Sequence, residues 1–115
     1  MRVTRVAQSR NGPTASVAAC PVERAIQVIG GKWKLLLLRS LLLNGPQGYN
    51  QLLASVAGIS AKELTRNLRE LTASGLVERG ASGAFLRTTQ YALTRLGKGL
   101  MPTFKSLLTW GQKLL

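Results

Sequence analysis

Apolar residues recur at a helical spacing in the middle of the chain, between two glycines. The recurring residues are Leu64, Leu68 and Leu71. Their i, i+4, i+7 spacing predicts a helix with one buried side. Ser60 and Glu63 form the pattern of a capping box, in which each side chain bonds the backbone amide of the other residue. Gly75 suits the left-handed position after a helix end, so we predict a helix between Ser60 and Gly75.

Polar residues on the other side of this helix repeat with the same period. They are Lys62, Thr65, Arg66 and Arg69. A helix in a DNA major groove needs such a side, with hydrogen-bonding groups toward the bases and positive charge toward the phosphates. A solvated helix surface is the alternative that the charge pattern leaves open.

Two more helices are predicted nearer the N-terminus. Pro21 suits the first position of a short helix that Gly30-Gly31 ends. Residues 32–43 are apolar nearly all round, which is typical of a central helix packed on several sides. Trp33, at the start of this helix, is expected in the core because its large area dominates small cores.

A short strand and a short helix are predicted just before the basic helix. Residues 47–49 can supply an edge strand, and Asn50 is the expected N-cap of a helix over residues 51–57. Two short helices joined by a tight glycine turn, the second basic on its outer side, are typical of a helix-turn-helix.

A β-hairpin is predicted after Gly75, because β-forming residues flank the glycine-rich residues 80–83. Arg79 and Arg87 are expected near its tip. A hairpin in this position is a wing, whose basic residues would reach the DNA backbone or minor groove; alternatively, it only covers the core. The expected fold is therefore mainly α with a small β-hairpin, a winged helix-turn-helix.

The last segment, residues 95–115, is predicted to be an amphipathic helix capped by Thr94, with Pro102 kinking or restarting it. It carries more apolar surface than a small domain can cover, so we expect it to pair with a second copy; binding to a membrane surface is the alternative. The predicted dimerisation residues are Val22, Ile26, Ile29, Phe104, Leu107, Leu108 and Trp110.

The composition limits the classes of function that the chain can have. The chain of 115 residues carries 16 Lys and Arg against four acidic residues, for a net charge of +12. Such a surplus favours polyanionic partners. Without His or Asp, the His-dependent catalytic triads and His metal sites are excluded. We therefore expect no enzyme, no cofactor and no metal site, but a cytoplasmic binding module.

Residues 1–19 are expected to be a basic, disordered tail before the domain of residues 20–115. This tail either contacts phosphates or is merely solvated.

Cys20 is the one cysteine, which fits a reducing compartment. It stands just before a predicted helix N-terminus with Arg24 nearby, a setting that can lower a thiol pKa. We therefore consider it a candidate redox or electrophile sensor; a small buried hydrophobic residue is the alternative.

The order of these elements resembles a known family, the HxlR-type winged helix-turn-helix transcriptional regulators. The resemblance covers residues 20 to about 111 and rests on Cys20-Pro21-Val22, Gly30-Gly31-Lys32-Trp33-Lys34, Gly58-Ile59-Ser60, Leu64-Thr65, Leu68-Arg69-Glu70-Leu71, Gly75-Leu76-Val77, Tyr91-Ala92-Leu93-Thr94, Leu96-Gly97 and Trp110-Gly111. Two positions depart from the family pattern. Gly48-Tyr49 stand where the family often has Arg-Phe, and Thr88-Thr89 stand where a proline usually precedes the strand.

The resemblance implies a homodimer joined through its first and last helices and bound to a pseudo-palindromic operator. For some members it also implies sensing through a cysteine at the position of Cys20. The sequence thus predicts a regulator whose partners are double-stranded DNA, a second copy and a small-molecule or redox effector, but not a membrane. The residues expected to contact DNA are Ser60, Lys62, Thr65, Arg66, Arg69, Arg79 and Arg87. A nonspecific basic nucleic-acid-binding protein and a membrane-surface module are the alternatives.

Overall fold

The structure is a computed structural model that describes residues 20–81 and 89–115. Helices dominate this part of the chain, and three short strands interrupt them. In chain order the elements are α1 (Pro21–Ile29), α2 (Lys32–Asn44), β1 (Gln47–Gly48), α3 (Tyr49–Ser55), α4 (Ala61–Ala73), β2 (Val77–Ala81), β3 (Thr89–Leu93), α5 (Arg95–Lys98) and α6 (Met101–Gln112).

Gly30 and Gly31 separate two structural units. In the first unit, α1 begins at Pro21 as predicted, and its last turn closes where the Gly30 amide donates to the Ile26 carbonyl at 2.7 Å. Gly31 then adopts a φ of +100°, a conformation that glycine reaches without steric cost. This turn starts the second unit, which contains all the other elements.

The core of the second unit is built from leucine, valine and isoleucine side chains. The buried residues are Leu37, Leu38, Leu41, Leu52, Val56, Ile59, Leu64, Leu68, Leu71, Leu76, Val77 and Leu93. They come from α2, α3, α4, the two longer strands and the turns that follow α3 and α4, so α2 is the central helix that the sequence predicted. Its packing is less complete than expected, because Leu43 is exposed and Trp33 is half-buried.

The helix-turn-helix consists of α3, a turn at Gly58 and α4. Gly58 has a φ of +86°, which only a residue without a Cβ adopts readily. The predicted start of α3 is wrong: Gly48, not Asn50, is its N-cap, and Tyr49 lies in the first helical turn instead of in the strand. The Gln51 side chain accepts a hydrogen bond from the Gly48 amide at 2.8 Å, which completes the cap of α3.

The three strands form one antiparallel sheet with the order β1-β3-β2. Gln47 of the predicted edge strand pairs with Tyr91, and Val77 to Ala81 pair with Leu93 to Thr89. The prediction of Arg79 near the hairpin tip is wrong, because this residue lies in the middle of β2 opposite Tyr91. The predicted turn over residues 80–83 begins too early for the same reason, since Gly80 and Ala81 are still paired. Arg87 lies outside the described residues, as does the tail 1–19.

The C-terminal segment begins at Thr94, whose hydroxyl accepts a hydrogen bond from the Gly97 amide at 3.1 Å, as its predicted capping role requires. The same hydroxyl donates to the Gly75 carbonyl at 2.6 Å. Pro102 stands in the first turn of α6, where a missing amide proton has no cost. Of the two effects predicted for Pro102, a kink and a restart of the helix, the structure therefore shows the restart.

Candidate nucleic-acid interface

The basic stripe, which we define as Lys62, Thr65, Arg66 and Arg69, is exposed along the whole of α4. On the other side of the same helix, Leu64 and Leu71 are fully buried and Leu68 keeps only 2% of its surface exposed. The hydrophobic side thus fixes the rotation of α4 about its axis. All four polar side chains consequently project to solvent together.

Both ends of α4 are closed by specific hydrogen bonds. The Ser60 hydroxyl accepts from the Glu63 amide at 3.1 Å, and the Glu63 carboxylate accepts from the Ser60 amide at 3.2 Å, so the predicted capping box is present. At the other end, the Gly75 amide donates to the Thr72 carbonyl and the Leu76 amide to the Leu71 carbonyl, both at 3.1 Å. These two bonds form a Schellman motif around a glycine with a φ of +82°.

Glu63 also links α4 to α2. The Trp33 indole of α2 donates a hydrogen bond to its carboxylate at 3.0 Å. The bond from the Ser60 amide is the largest cause that holds the pKa of Glu63 below its ordinary value of 4.5, and the Trp33 bond acts in the same direction. Trp33 is therefore only partly the core residue that we expected, because its polar edge anchors the N-terminal turn of α4.

Glu70 makes a second link between α4 and α2, seven residues after Glu63. Its carboxylate lies 2.7 Å from the Lys34 ammonium of α2 and 3.8 Å from the Arg66 guanidinium. The hydrogen bond from Lys34 is the main reason why the pKa of Glu70 lies below its ordinary value. Two acidic residues thus tie α4 to α2, and one of them also touches the basic stripe.

Tyr49 connects α3 to the outer side of α4. Its hydroxyl oxygen lies 2.9 Å from the Ala61 carbonyl oxygen and 2.9 Å from the Thr65 hydroxyl oxygen. The aromatic ring is half-buried, which holds the phenol against the first turns of α4. Thr65 is therefore not an isolated polar group on the stripe but part of a contact between the two helices.

A basic groove of about 460 Å³ separates α4 from the sheet. We use this name for the space between Tyr49, Arg69, Arg79 and Tyr91, which all line it. The position of Arg79 in the middle of β2 brings it to the same concavity as Arg69 of the stripe. Two guanidinium side chains at one groove are suited to a phosphate group, because each presents several fixed N–H donors.

The remaining predicted site residues within the described part of the chain belong to α1 and α6. Cys20 is half-exposed at the N-cap of α1, where the Arg24 amide donates to its carbonyl at 2.9 Å, and the Arg24 guanidinium donates to Gln27 at 3.3 Å. Among the predicted dimerisation residues, Ile29 and Phe104 are half-buried. The exposed members are Val22, Ile26, Leu107, Leu108 and Trp110.

Four residues that position this surface are not predicted from the sequence. Tyr49, Trp33, Lys34 and Glu70 position the basic stripe through contacts between different helices. The signal for Glu70 was its place on the flank of a helix that also presents the stripe. Nothing in the local sequence indicates the partners of the two aromatic residues.

Within residues 20–81 and 89–115, no helix combines the length and the hydropathy that a membrane crossing requires.

The chain matches the family model of the HxlR-like helix-turn-helix over residues 28–115. The uncharacterized HTH-type transcriptional regulator YkvN of Bacillus subtilis (strain 168) is 41% identical over 93 residues, which cover 81% of this chain and 78% of the relative. An uncharacterized HTH-type transcriptional regulator of Methanothermobacter thermautotrophicus is 38% identical over 81% of this chain and 70% of its own length.

The solved structures to which the chain is similar are also regulators. The redox regulator HypR in its oxidized form is similar with a TM-score of 0.71 and 35% identity, over 82% of this chain and 96% of that chain. The reduced form of the transcriptional regulator YodB from B. subtilis gives a TM-score of 0.71 at 28% identity, over 82% of this chain and 92% of that chain. The predicted winged helix-turn-helix fold is thereby confirmed. This chain belongs to the HxlR-like helix-turn-helix family and is a transcriptional regulator of that type.

Proposed function

We propose that the chain is a homodimeric regulator that binds a pseudo-palindromic operator in a sequence-specific manner through α4. The exposed basic stripe carries this proposal, because its side chains project from a helix whose other side is buried. The capping box and the links to α2 fix that helix before DNA arrives. A preorganised helix loses less conformational entropy on binding, so more of the contact energy appears as affinity.

The residues of the stripe take different roles in this proposal. Thr65 and Arg66 lie in the first two turns of α4, the part of a recognition helix that reaches base edges. Lys62 and Arg69 contact phosphates, and Arg79 does so from the basic groove. Ser60 contributes through the cap that orients the first turn, and Arg87, which the sequence predicts in the wing, contacts the DNA backbone.

Two copies are required to read two half-sites that face each other. The exposed apolar residues of α6 favour such pairing: Leu108 is 65% exposed and Trp110 is 58% exposed. Large apolar side chains are typical of the interface in an obligate dimer. In this proposal the predicted residues of α1, Val22, Ile26 and Ile29, complete the dimer interface.

A redox or electrophile signal is the effector class that the similarities favour. HypR is named a redox regulator, and one similar structure is YodB with a quinone bound. Cys20 is the only thiol of this chain and is partly accessible. We infer that modification of Cys20 changes operator affinity.

Competition binding tests the proposal. A duplex selected by the wild type from a randomised pool should resist displacement by random-sequence DNA and should bind a protein dimer. Equal displacement by the selected and the random duplex, at every salt concentration, would leave only nonspecific binding. The net charge of +12 would then suffice to explain the affinity, because phosphate neutralisation is independent of sequence.

A further inference from the structure

The contact between Tyr49 and Thr65 fixes the direction of a hydroxyl proton on the basic stripe. Tyr49 has one O–H proton, and the Ala61 carbonyl, 2.9 Å away, can only accept. The Tyr49 proton is therefore directed to Ala61. Thr65, whose oxygen lies 2.9 Å from the same phenol oxygen, must then be the donor in the second bond.

This assignment leaves Thr65 without a proton for DNA. A threonine hydroxyl has one proton and two acceptor lone pairs. With its proton committed to Tyr49, the exposed oxygen of Thr65 acts only as an acceptor. An unrestrained threonine could serve either as donor or as acceptor, and would therefore discriminate poorly between bases.

In the major groove, adenine and cytosine present amino donors, whereas guanine and thymine present acceptors at their edges. Building on the proposed function, we propose that Tyr49 is a specificity-determining positioning residue, which restricts Thr65 to adenine or cytosine on the strand that it faces. Tyr49 does this without contacting the base itself. It also holds the first turn of α4 through Ala61, so the acceptor is presented in one orientation.

Tyr49→Phe removes the phenol oxygen and keeps the ring. The variant should bind random-sequence duplex as the wild type does, because no charge is changed. At the operator position that Thr65 faces, however, its preference for adenine or cytosine should fall by about threefold to tenfold, the value of one hydrogen bond. Tyr91→Phe is the matched control, since Tyr91 lines the same groove and its hydroxyl has no hydrogen bond within residues 20–81 and 89–115. This variant should keep the preference at the operator position that Thr65 faces, whatever the change in its overall affinity for DNA.

Thr65→Val identifies the operator position, because its loss of preference should be confined there. The double variant Tyr49→Phe/Thr65→Val should lose no more base preference than Thr65→Val alone, since both changes remove the same directed acceptor. Equal base preferences for Tyr49→Phe and wild type at every operator position would overturn the inference. A guanine or thymine preference at the position identified by Thr65→Val would also overturn it.

A change in the DNA gives the same test without altering the fold. Purine in place of adenine, or pyrimidin-2-one in place of cytosine, lacks the amino group that Thr65 would accept from. Either replacement should weaken wild-type binding by about threefold to tenfold but leave Thr65→Val unaffected. Equal weakening of both proteins would overturn the inference while leaving the proposed function intact. A wild type that selects no sequence from a randomised pool would instead contradict the proposed function itself.

Discussion

At the scale of single residues, Arg66 is the side chain from which we expect most sequence preference. Its side chain is 56% exposed, and Glu70 at 3.8 Å restrains its guanidinium. Arg can pair bidentately with guanine. Arg66→Ala should therefore cost about 1–3 kcal/mol on the selected duplex and relax the base preference at one position. Titration of the folded variant with selected and random duplexes measures both effects.

Lys62→Ala is the control for Arg66, because it removes one charge from the same helix. A phosphate contact carries no sequence information, so this variant should weaken all duplexes about equally. The slope of the logarithm of its affinity against the logarithm of the salt concentration should become shallower by about one, the value of one lost phosphate contact. If Arg66→Ala kept both wild-type affinity and wild-type preference, Arg66 would be a solvated residue and not a reader of bases.

Cys20 is the residue that would connect the fold to a chemical signal. It stands at the N-cap of α1 and is partly accessible. Alkylation of the native protein should proceed without unfolding and should change the affinity for the selected duplex. Cys20→Ser should bind DNA and show no response to the reagent. An unchanged affinity after complete alkylation, followed by mass spectrometry, would exclude Cys20 as a sensor.

At the scale of elements, the link between α4 and α2 predicts acid sensitivity. The pKa of Glu70 is lowered from its ordinary value of 4.5 mainly by its hydrogen bond from Lys34. A lowered folded-state pKa stabilises the protein above the unfolded value, and this contribution disappears as pH falls through the folded value. Glu70→Gln should thus be less stable than wild type at neutral pH, and the difference should shrink below pH 4.5.

Urea denaturation at a series of pH values measures this effect. Glu78→Gln is the matched control: it makes the same chemical change at an exposed residue of β2, and no ion pair involves Glu78 in the described part of the chain. A constant difference between wild type and Glu70→Gln across the acid range would show that the link to Lys34 does not stabilise the fold.

The leucine side of α4 predicts a different kind of loss. Leu68 is 2% exposed between α4 and the rest of the core. Leu68→Ala removes buried apolar volume and should cost about 2–5 kcal/mol of unfolding free energy. Leu43→Ala, a similar truncation at a residue that is 71% exposed, should cost much less. Equal losses in urea denaturation would mean that the buried side of α4 is not what anchors it.

The sequence predicted the elements whose causes are local. The limits of α4 follow from Ser60, Glu63 and Gly75, which lie within one helix length of each other. The start of α6 follows from Pro102, which has no amide proton to continue the preceding helix. Periodicity likewise identified the buried leucines of α4, because burial on one side of a helix recurs every three or four residues.

What could not be predicted depends on partners far away in the sequence. The start of α3 was misplaced by two residues because Gly48 is both the end of a strand and the cap of a helix. Arg79 was misplaced because the register with Tyr91, not the glycines nearby, decides where the hairpin turns. The hydroxyl of Tyr49 and the indole of Trp33 likewise have partners that only the folded chain brings together.

At the scale of the whole molecule, the exposed side of α6 predicts the oligomeric state. Leu108→Asp places a charge on this apolar surface and should both weaken dimerisation and reduce operator affinity, because a monomer engages only one half-site. Analytical ultracentrifugation and duplex titration report the two effects. Ser106→Asp adds the same charge at an exposed polar position of α6 and is the control. A wild type that sediments as a monomer at micromolar concentration would contradict the proposed two-fold arrangement.

The antiparallel pairing of β1 with β3 also has a consequence for the order of folding. Gln47 meets Tyr91 only after the whole helix-turn-helix has been bridged, and closing so long a loop costs entropy. The turn between α3 and α4, by contrast, joins neighbours in the chain. Because non-local pairing slows folding, we expect the helix-turn-helix to assemble first and the β1–β3 ladder to close late, so that α4 is formed before β3 pairs with β1.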